Sequence, residues 1–321
     1  MSRAYLTLAG MTSLATHVPF TRSAALRQNI SDNELQSKRF RRIFHGVYIS
    51  AEIRVTTKIR AQAALLIAPE GSYISHHTAA RLWGGWAPKS PVTHISSPGD
   101  IARTRRRGLT AHCADPTATV MTRYGMPIAS PTKVFLDLAS AGIGLVDLVA
   151  AGDALVKAKC VTPTELIDAA ATWRGRHCRR ARRAAGLVRQ GVDSIMETRL
   201  RMLMVLARLP EPQINKVLRL EDGTWEHRIE IYYLSILLAI EYEGRQHADS
   251  VDQWNKDIRR RTKLEAMGWR FILVTAEGIF ERPEETLRDI KNALRDRGVR
   301  TTTRRPPVEW YREFVGESAA R

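Results

Sequence analysis

Two β-like runs, Arg228 to Tyr233 and Ile236 to Tyr242 in "RIEIYYLSILLAIEYEG", constrain this chain more than any other feature. Leu234 and Ser235 between them read as a two-residue hairpin connection. In that register Glu230 faces Ala239. Side chains repeat every second residue along a strand, so Glu230, Glu241 and Glu243 share one face. Glu230 and Glu241 are then diagonal neighbours, roughly 7–8 Å apart between backbones, a gap that long side chains close. Like charges at that spacing repel unless a cation neutralises them or some are protonated. A hard divalent ion such as Mg²⁺ or Mn²⁺, which takes oxygen ligands and keeps several waters, fits the pattern. Gly244 permits a sharp turn at the strand end, and His247 follows within reach. The plainer alternative is an acidic, solvated sheet face.

The rest of the chain is strongly basic. Its 321 residues carry a formal charge of +17, which favours a polyanionic partner such as nucleic acid or an anionic surface. The length implies two or three domains with ample core. No apolar run approaches the ~20 residues of a membrane span, and the N-terminus lacks the apolar core of a secretory signal, so the expectation is a cytoplasmic protein. Cys113, Cys160 and Cys178 are odd in number and stand in no paired spacing, which argues against a disulfide framework or a cysteine zinc site.

Four segments emerge along the chain. In residues 1–55, Thr21 to Asn29 reads as a short helix, and Ser31 with Glu34 forms a capping-box pattern that starts a second. The basic residues Lys38, Arg39, Arg41 and Arg42 follow, then "IFHGVYI", a hairpin with a central glycine. Together these describe a winged helix-turn-helix, with the second helix directed at the major groove and the basic edge at phosphates; the plainer alternative is a small helical cap whose arginines are solvated. Residues 56–190 read as a mixed α/β module: "IRAQAALLIAP" and "TKVFLDLASAG" are helical, "VTHISSP" and "GLTAHCA" are strands. His76 and His77 start a helix there and lack the ligand spacing of a metal site. Arg103, Arg105, Arg106 and Arg107 form a loop that is either solvated or in contact with phosphate. Arg174 to Gly191, with Arg179 and Arg180, is a helix whose Ala181, Ala184, Ala185 and Val188 fall on one face. Residues 191–300 hold the acidic pattern. They end in a packing helix begun by Pro283 near its start and faced by Leu287, Ile290 and Leu294. Residues 301–321 are a Pro-broken extension.

From Glu197 in "SIMETRLRMLM" through Glu230, Glu241 to Gly244, His247, Asp257, Arg260, Leu264, Gly268 and Trp269, the chain resembles the very-short-patch-repair-type endonuclease domain. That domain is a branch of the PD-(D/E)XK restriction-endonuclease-like superfamily, and the resemblance runs over about residues 192–297. It implies an α/β fold with a central mixed sheet flanked by helices, and metal-dependent DNA endonuclease activity. Glu230 and Glu241 would hold the metal, with Glu243 completing that shell. His247 would serve as general acid or base. Glu197 would bind a second metal through water or orient His247. Arg260, fixed by Asp257, would stabilise phosphate charge; the plainer reading of that pair is a helical i,i+3 ion pair. Trp269 reads as core, and the plainer reading of Glu197 is an exposed helix residue. The family usually has Asp where this chain has Glu230 and Glu243, and Pro-Glu where it has Leu234-Ser235. "FRRIFHGVYIS", "ISHHTAARLWG" and "SPTKVFLDLA" are similar to an AbiEi-type antitoxin winged-helix half, implying DNA binding and a setting in bacterial defence or toxin–antitoxin biology. The competing expectation is a non-catalytic DNA-binding regulator or antitoxin built on a nuclease scaffold. An RNA-directed nuclease is a further one, and neither a homodimer nor a protein partner is specified.

Overall fold

The computed structural model describes residues 14–99, 106–219, 226–244, 259, 261–301 and 305–316. The protein is mixed α/β, and its three sheets fall in two compact units. One unit comprises residues up to Leu82 together with Lys89–Val134; the other comprises Trp83–Pro88 and everything from Phe135 onward. Where the sequence suggested four segments, packing gathers the chain into two. No helix among the described residues is long and apolar enough to cross a membrane.

The first unit opens with β1 (Phe20–Thr21), α1 (Arg22–Arg27), α2 (Asp32–Leu35), β2 (Phe40–Phe44) and β3 (Val47–Ser50), whose strands form an antiparallel sheet in the order β1-β3-β2. Local chemistry explains each boundary. Thr21 Oγ1 accepts the Ala24 N–H at 3.2 Å to start α1, and Ser31 with Glu34 makes both bonds of a capping box, which satisfy amides that the helix leaves unpaired. Gly46, at φ +75°, supplies the left-handed turn between β2 and β3, a conformation glycine adopts without strain. Phe20, Ala25 and Leu35 form the small core, with Leu14, Ile30, Phe40 and Tyr48 packed on it.

The same unit holds α3 (Thr57–Leu65), β4 (Tyr73–Ile74), α4 (His76–Leu82), β5 (Thr93–Ser97), β6 (Leu109–Cys113), β7 (Val120–Arg123) and β8 (Met126–Ala129). The five strands run β6-β5-β4-β8-β7, with β5/β6 and β4/β8 parallel. The chain passes between units within α5 (Pro131–Ser140).

The second unit contains α6 (Leu145–Lys157), α7 (Pro163–Thr172), α8 (Cys178–Leu187), α9 (Ile195–Leu206), β9 (Gln213–Arg219), β10 (Glu226–Tyr233), β11 (Leu238–Glu243), α10 (261–266), β12 (Arg270–Thr275), α11 (Ala276–Phe280), α12 (Pro283–Asp296) and α13 (Val308–Phe314). Its sheet order is β12-β11-β10-β9, with only β11/β12 parallel. Gly152 allows α6 to approach the end of α8 closely, since a Cβ there would lie 2.4 Å from Val188 Cγ2. Ala181, Ala184, Ala185 and Val188 are buried as their spacing required, as are Leu287, Ile290 and Leu294 of α12. The C-terminal extension is structural: Trp310 is fully buried and donates Nε1–H to the Leu203 carbonyl at 2.8 Å. Glu313 accepts the Leu145 and Val146 amides at 2.9 and 3.0 Å, which caps α6.

Candidate active site

The acidic strands form the expected hairpin with a different connection. A 3-10 turn at Leu234–Ile236 and a left-handed Leu237 (φ +49°) replace the two-residue loop. The longer turn shifts the register by two: Tyr232, not Glu230, pairs with Ala239, and Ile231 pairs with Ile240. The next position along this ladder sets Glu230 opposite Glu241. An even shift preserves faces, whereas a shift of one would have turned Glu230 to the other side. Gly244 does not adopt a left-handed conformation, and a Cβ there would lie 3.3 Å from the Tyr242 ring; the chain that would complete the expected turn lies outside the described residues.

Glu230 is the electrostatic centre of this face. Burial pushes its carboxyl up to about 7, and the charges of Glu197, Glu241 and Glu243 add to the rise. The Tyr242 N–H, donated to Glu230 Oε2 at 2.8 Å, works in the opposite direction. A carboxyl raised this far by burial and like-charged neighbours is the pattern that functional sites concentrate.

Glu197 is only 6% exposed, which overturns the reading of it as an exposed helix residue. It stands in the first turn of α9, where its N–H is capped by Ser194 Oγ at 3.0 Å. Its Oε2 accepts the Asp193 N–H at 3.0 Å and Asn215 Nδ2 at 3.4 Å, and burial raises its carboxyl above the usual range. Arg228 extends this network: its Nε donates to Asn215 Oδ1 at 2.9 Å, and its guanidinium forms an ion pair with Asp193. On the other side, Glu243 pairs with Arg261 at 3.6 Å, and the guanidinium lies 5.9 Å from the Phe271 ring centroid.

Asn215, Arg228 and Arg261 were not singled out from the sequence. Arg228 carried a readable signal, two residues from Glu230 on the same strand. Asn215 carried none, because its role depends on a left-handed backbone (φ +54°) within β9. His247, Asp257 and Arg260 lie outside the described residues. Trp269 is buried with Leu264, Tyr232 and Ala239, as expected of core.

Among the described residues no group of three or more His, Cys, Asp or Glu side chains is placed to hold a metal ion. The donor chemistry of Glu230 and Glu241 nonetheless suits Mg²⁺ or Mn²⁺, which bind proteins through one or two carboxylates and otherwise keep water.

The basic residues divide by what they touch. Lys38, Arg39, Arg41 and Arg42 are exposed along β2 and the turn before it. Arg39 pairs with Glu34 at 3.2 Å, and Arg41 donates to the Ala51 carbonyl at 3.3 Å. The helix expected to enter the major groove, α2, has only four residues, about 6 Å of helix, which is too short for that task. Arg105 lies outside the described residues; Arg106 and Arg107 precede β6, Arg107 exposed. Arg179 is exposed on α8, whereas Arg180 donates to the Gly142 and Ile143 carbonyls at 3.2 and 2.8 Å.

A second cluster was invisible in the sequence. His76 and His77 do begin α4, but they stack with two distant histidines: His76 on His112 at 3.6 Å between centroids, and His77 on His94 at 4.8 Å. His94 Nδ1 and His112 Nε2 share a hydrogen bond at 2.9 Å, and Ser90 Oγ bonds His94 Nε2 at 2.8 Å. Burial lowers all four, His94 to about 3 and His112 to about 4. Comparison with known proteins finds no matching family model and no matching curated relative.

Proposed function

We propose that the second unit carries a metal-dependent phosphodiesterase site acting on DNA, and that the small N-terminal winged element positions the protein on its substrate through the exposed basic edge at Arg41 and Arg42 on β2, not through α2. The observation that carries this reading is Glu230, half-buried and raised to about 7 beside Glu197, Glu241 and Glu243. A buried surplus of negative charge in a chain of net charge +17 calls for a bound cation or a functional acid. The restriction-endonuclease-like pattern from Glu197 to Trp269 supplies the same assignment from sequence resemblance.

Glu230 and Glu241 are the residues that would hold Mg²⁺ or Mn²⁺. Bound there, the ion would supply Lewis-acid polarisation of the scissile phosphate and a water of lowered pKa. The chain's own groups do the rest. The Tyr242 amide fixes the Glu230 carboxylate. Asp193 and Asn215 hold Glu197 at the margin, and Arg261 balances Glu243. Arg261 also brings a guanidinium to the acidic face, where phosphate charge would be stabilised. His247 remains the proposed general acid or base.

The runner-up is a DNA-binding regulator with a non-catalytic scaffold. Its support is specific: the Glu230, Glu197 and Glu243 carboxylates already have partners within the protein, at the Tyr242 amide, the Asp193 amide and Arg261 respectively.

Cleavage of supercoiled plasmid and of single-stranded DNA with Mg²⁺ or Mn²⁺ decides between them. The nuclease reading expects cutting by intact protein and none by Glu241→Ala. DNA binding without cutting in both proteins transfers the case to the regulator. The DNA-contact assignment has its own measurement. Replacing Arg41 and Arg42 by Ala should lower the slope of log affinity against log salt by about two, and an unchanged slope removes those residues from the interface.

A further inference from the structure

The second unit contains an open groove of about 1140 Å³ between one face of α12 and residues that follow it, among them Arg300, Arg305 and Tyr311. We propose that a single-stranded polynucleotide lies in this groove, with Arg288, Arg295, Arg300 and Arg305 on its phosphates and a base stacked against Tyr311. The proposal gives a task to the outer face of a helix whose inner face packs, and it holds whether or not the acidic site cuts.

The sequence of α12 builds one wall. Leu287, Ile290 and Leu294 are buried, so helical spacing turns Glu284, Arg288 and Arg295 together to another side. From Glu284 to Arg295 the helix rises roughly 16 Å, and a groove of this volume over that length is about 8 Å across. The major groove of B-DNA alone is ~12 Å wide. A duplex is therefore too broad to enter, whereas a single strand is not.

Charge in the groove is one-sided. Arg288, Arg300 and Arg305 are exposed, and none of them forms an ion pair among the described residues. Arg295 gives one donor to Asn292 Oδ1 at 2.9 Å and keeps the rest of its five. Lys291 also lines the groove but already interacts within the protein, so no phosphate is assigned to it. Glu284 is the one carboxylate among the described lining residues, and it is engaged: after burial, its charge and its hydrogen bond raise the Tyr311 phenol, which Arg305 opposes. A lone phosphate is satisfied by one bidentate guanidinium. Four guanidiniums spread over two walls match a line of phosphates instead.

The aromatic group is set before a ligand arrives. Tyr311 is half-buried, its hydroxyl bonded to Glu284 and its ring edge-on to Trp310 at 5.2 Å between centroids, so little ordering cost falls on binding. Leu287, Val299 and Pro306 add apolar surface to the same lining. A basic groove with an aromatic platform holds single strands with little regard to sequence, because every base has a π-face.

Fluorescence anisotropy of the full chain with labelled oligo(dT), oligo(U) and a duplex of equal length tests this, in buffer with EDTA so that no metal-dependent cutting intervenes. Replacing Arg288 and Arg300 by Gln should weaken oligo(dT) binding about tenfold or more and lower the slope of log affinity against log salt by about 1.4, at ~0.7 per lost contact to a single strand. Duplex binding should hardly change. Both arginines are exposed, so the melting temperature should stay put; should the double variant fail to fold, Arg305→Gln decides by the same slope. Tyr311→Leu should weaken oligo(dT) about fivefold or more, while Tyr311→Phe, which keeps the ring, should bind like the intact chain. Tighter binding of oligo(dT) than of oligo(U) identifies DNA as the strand, and the reverse identifies RNA. Unchanged affinity and slope in the arginine variant overturn the proposal. So does an equal loss for duplex and single strand, or full competition by inorganic polyphosphate with no effect of Tyr311→Leu, since either reduces the groove to a patch of charge.

Discussion

The two units each bury a cluster of like ionisable groups, and they resolve the conflict differently. In the first, His76, His77, His94 and His112 stack and hydrogen-bond because imidazole sheds its charge at little cost near neutral pH. Burial drives all four down, and the stack is neutral. In the second, burial drives Glu230 up to about 7, and the neighbouring carboxylates Glu197, Glu241 and Glu243 push it in the same direction. A histidine cluster is therefore complete by itself. Among the described residues the Arg228 and Arg261 guanidiniums act on the carboxylate cluster, and protonation or a bound cation would balance it further; this difference separates a structural cluster from a candidate site.

The largest expected effect comes from breaking a third arrangement, in which opposite charges are buried together. Arg201 and Asp153 are 1% and 2% exposed and lie 3.2 Å apart. Thr198 Oγ1 and the Arg189 amide also donate to Asp153 at 2.8 Å, and Arg201 donates to the Leu187 carbonyl at 2.8 Å. Arg201→Leu strands a buried carboxylate and should cost about 3–5 kcal/mol in urea unfolding at pH 7. Adding Asp153→Leu should recover most of that loss, because the cost lies in the unpaired charge. A double variant as unstable as the single would mean that packing around Arg201, and not its charge, holds α6 to α9.

The two like-charge clusters should show opposite pH dependence. Glu230 binds its proton in the folded state up to about pH 7 but only to its ordinary value of 4.5 when unfolded. Its contribution to stability is therefore present below 4.5 and lost as pH rises to 7. Each pH unit between the two values is worth ~1.4 kcal/mol, so the loss is on the order of 3 kcal/mol. His112 titrates near 4 when folded and 6.5 when unfolded, so its contribution is present above 6.5 and lost as pH falls to 4, by a similar amount. In metal-free buffer, Glu230→Gln should gain stability relative to the intact chain as pH rises from 4.5 to 7. His112→Asn should be relatively better off as pH falls from 6.5 to 4. Parallel pH profiles for each variant and the intact protein would remove both clusters as the source of the protein's pH response.

Local chemistry was legible in the sequence, and so were apolar faces. The short helix near Thr21, the capping box at Ser31, the buried face of α8, the helix begun at Pro283 and the acidic face of the hairpin all follow from contacts within a few residues or from strict periodicity. What escaped depends on turns and on distance. Nothing in Leu234-Ser235-Ile236 announces a 3-10 turn with a left-handed leucine, and that turn alone moved Ala239 from Glu230 to Tyr232. His94 and His112 lie on neighbouring parallel strands, so their meeting with His76 and His77 is a product of sheet order. Glu313 and Trp310, in the Pro-broken extension, carried no readable role because their partners, α6 and Leu203, lie more than a hundred residues away.

The smallest effect on stability discriminates most finely within the acidic cluster. The Glu243–Arg261 pair spans 3.6 Å, with the two side chains 32% and 30% exposed, and pairs of that kind contribute about 0–1 kcal/mol. Arg261→Ala should therefore lower stability by less than ~1 kcal/mol while leaving Glu243 without its counter-charge. If Glu243 belongs with Glu230 and Glu241 around a divalent ion, the variant should bind Mn²⁺ more tightly, seen as a larger rise in melting temperature on adding the metal. An unchanged metal response with lost DNA cleavage would place Arg261 on the phosphate instead. If metal response and cleavage are both untouched, the pair is only a surface link between β11 and α10, and the carboxylates that matter are reduced to Glu230, Glu241 and Glu197.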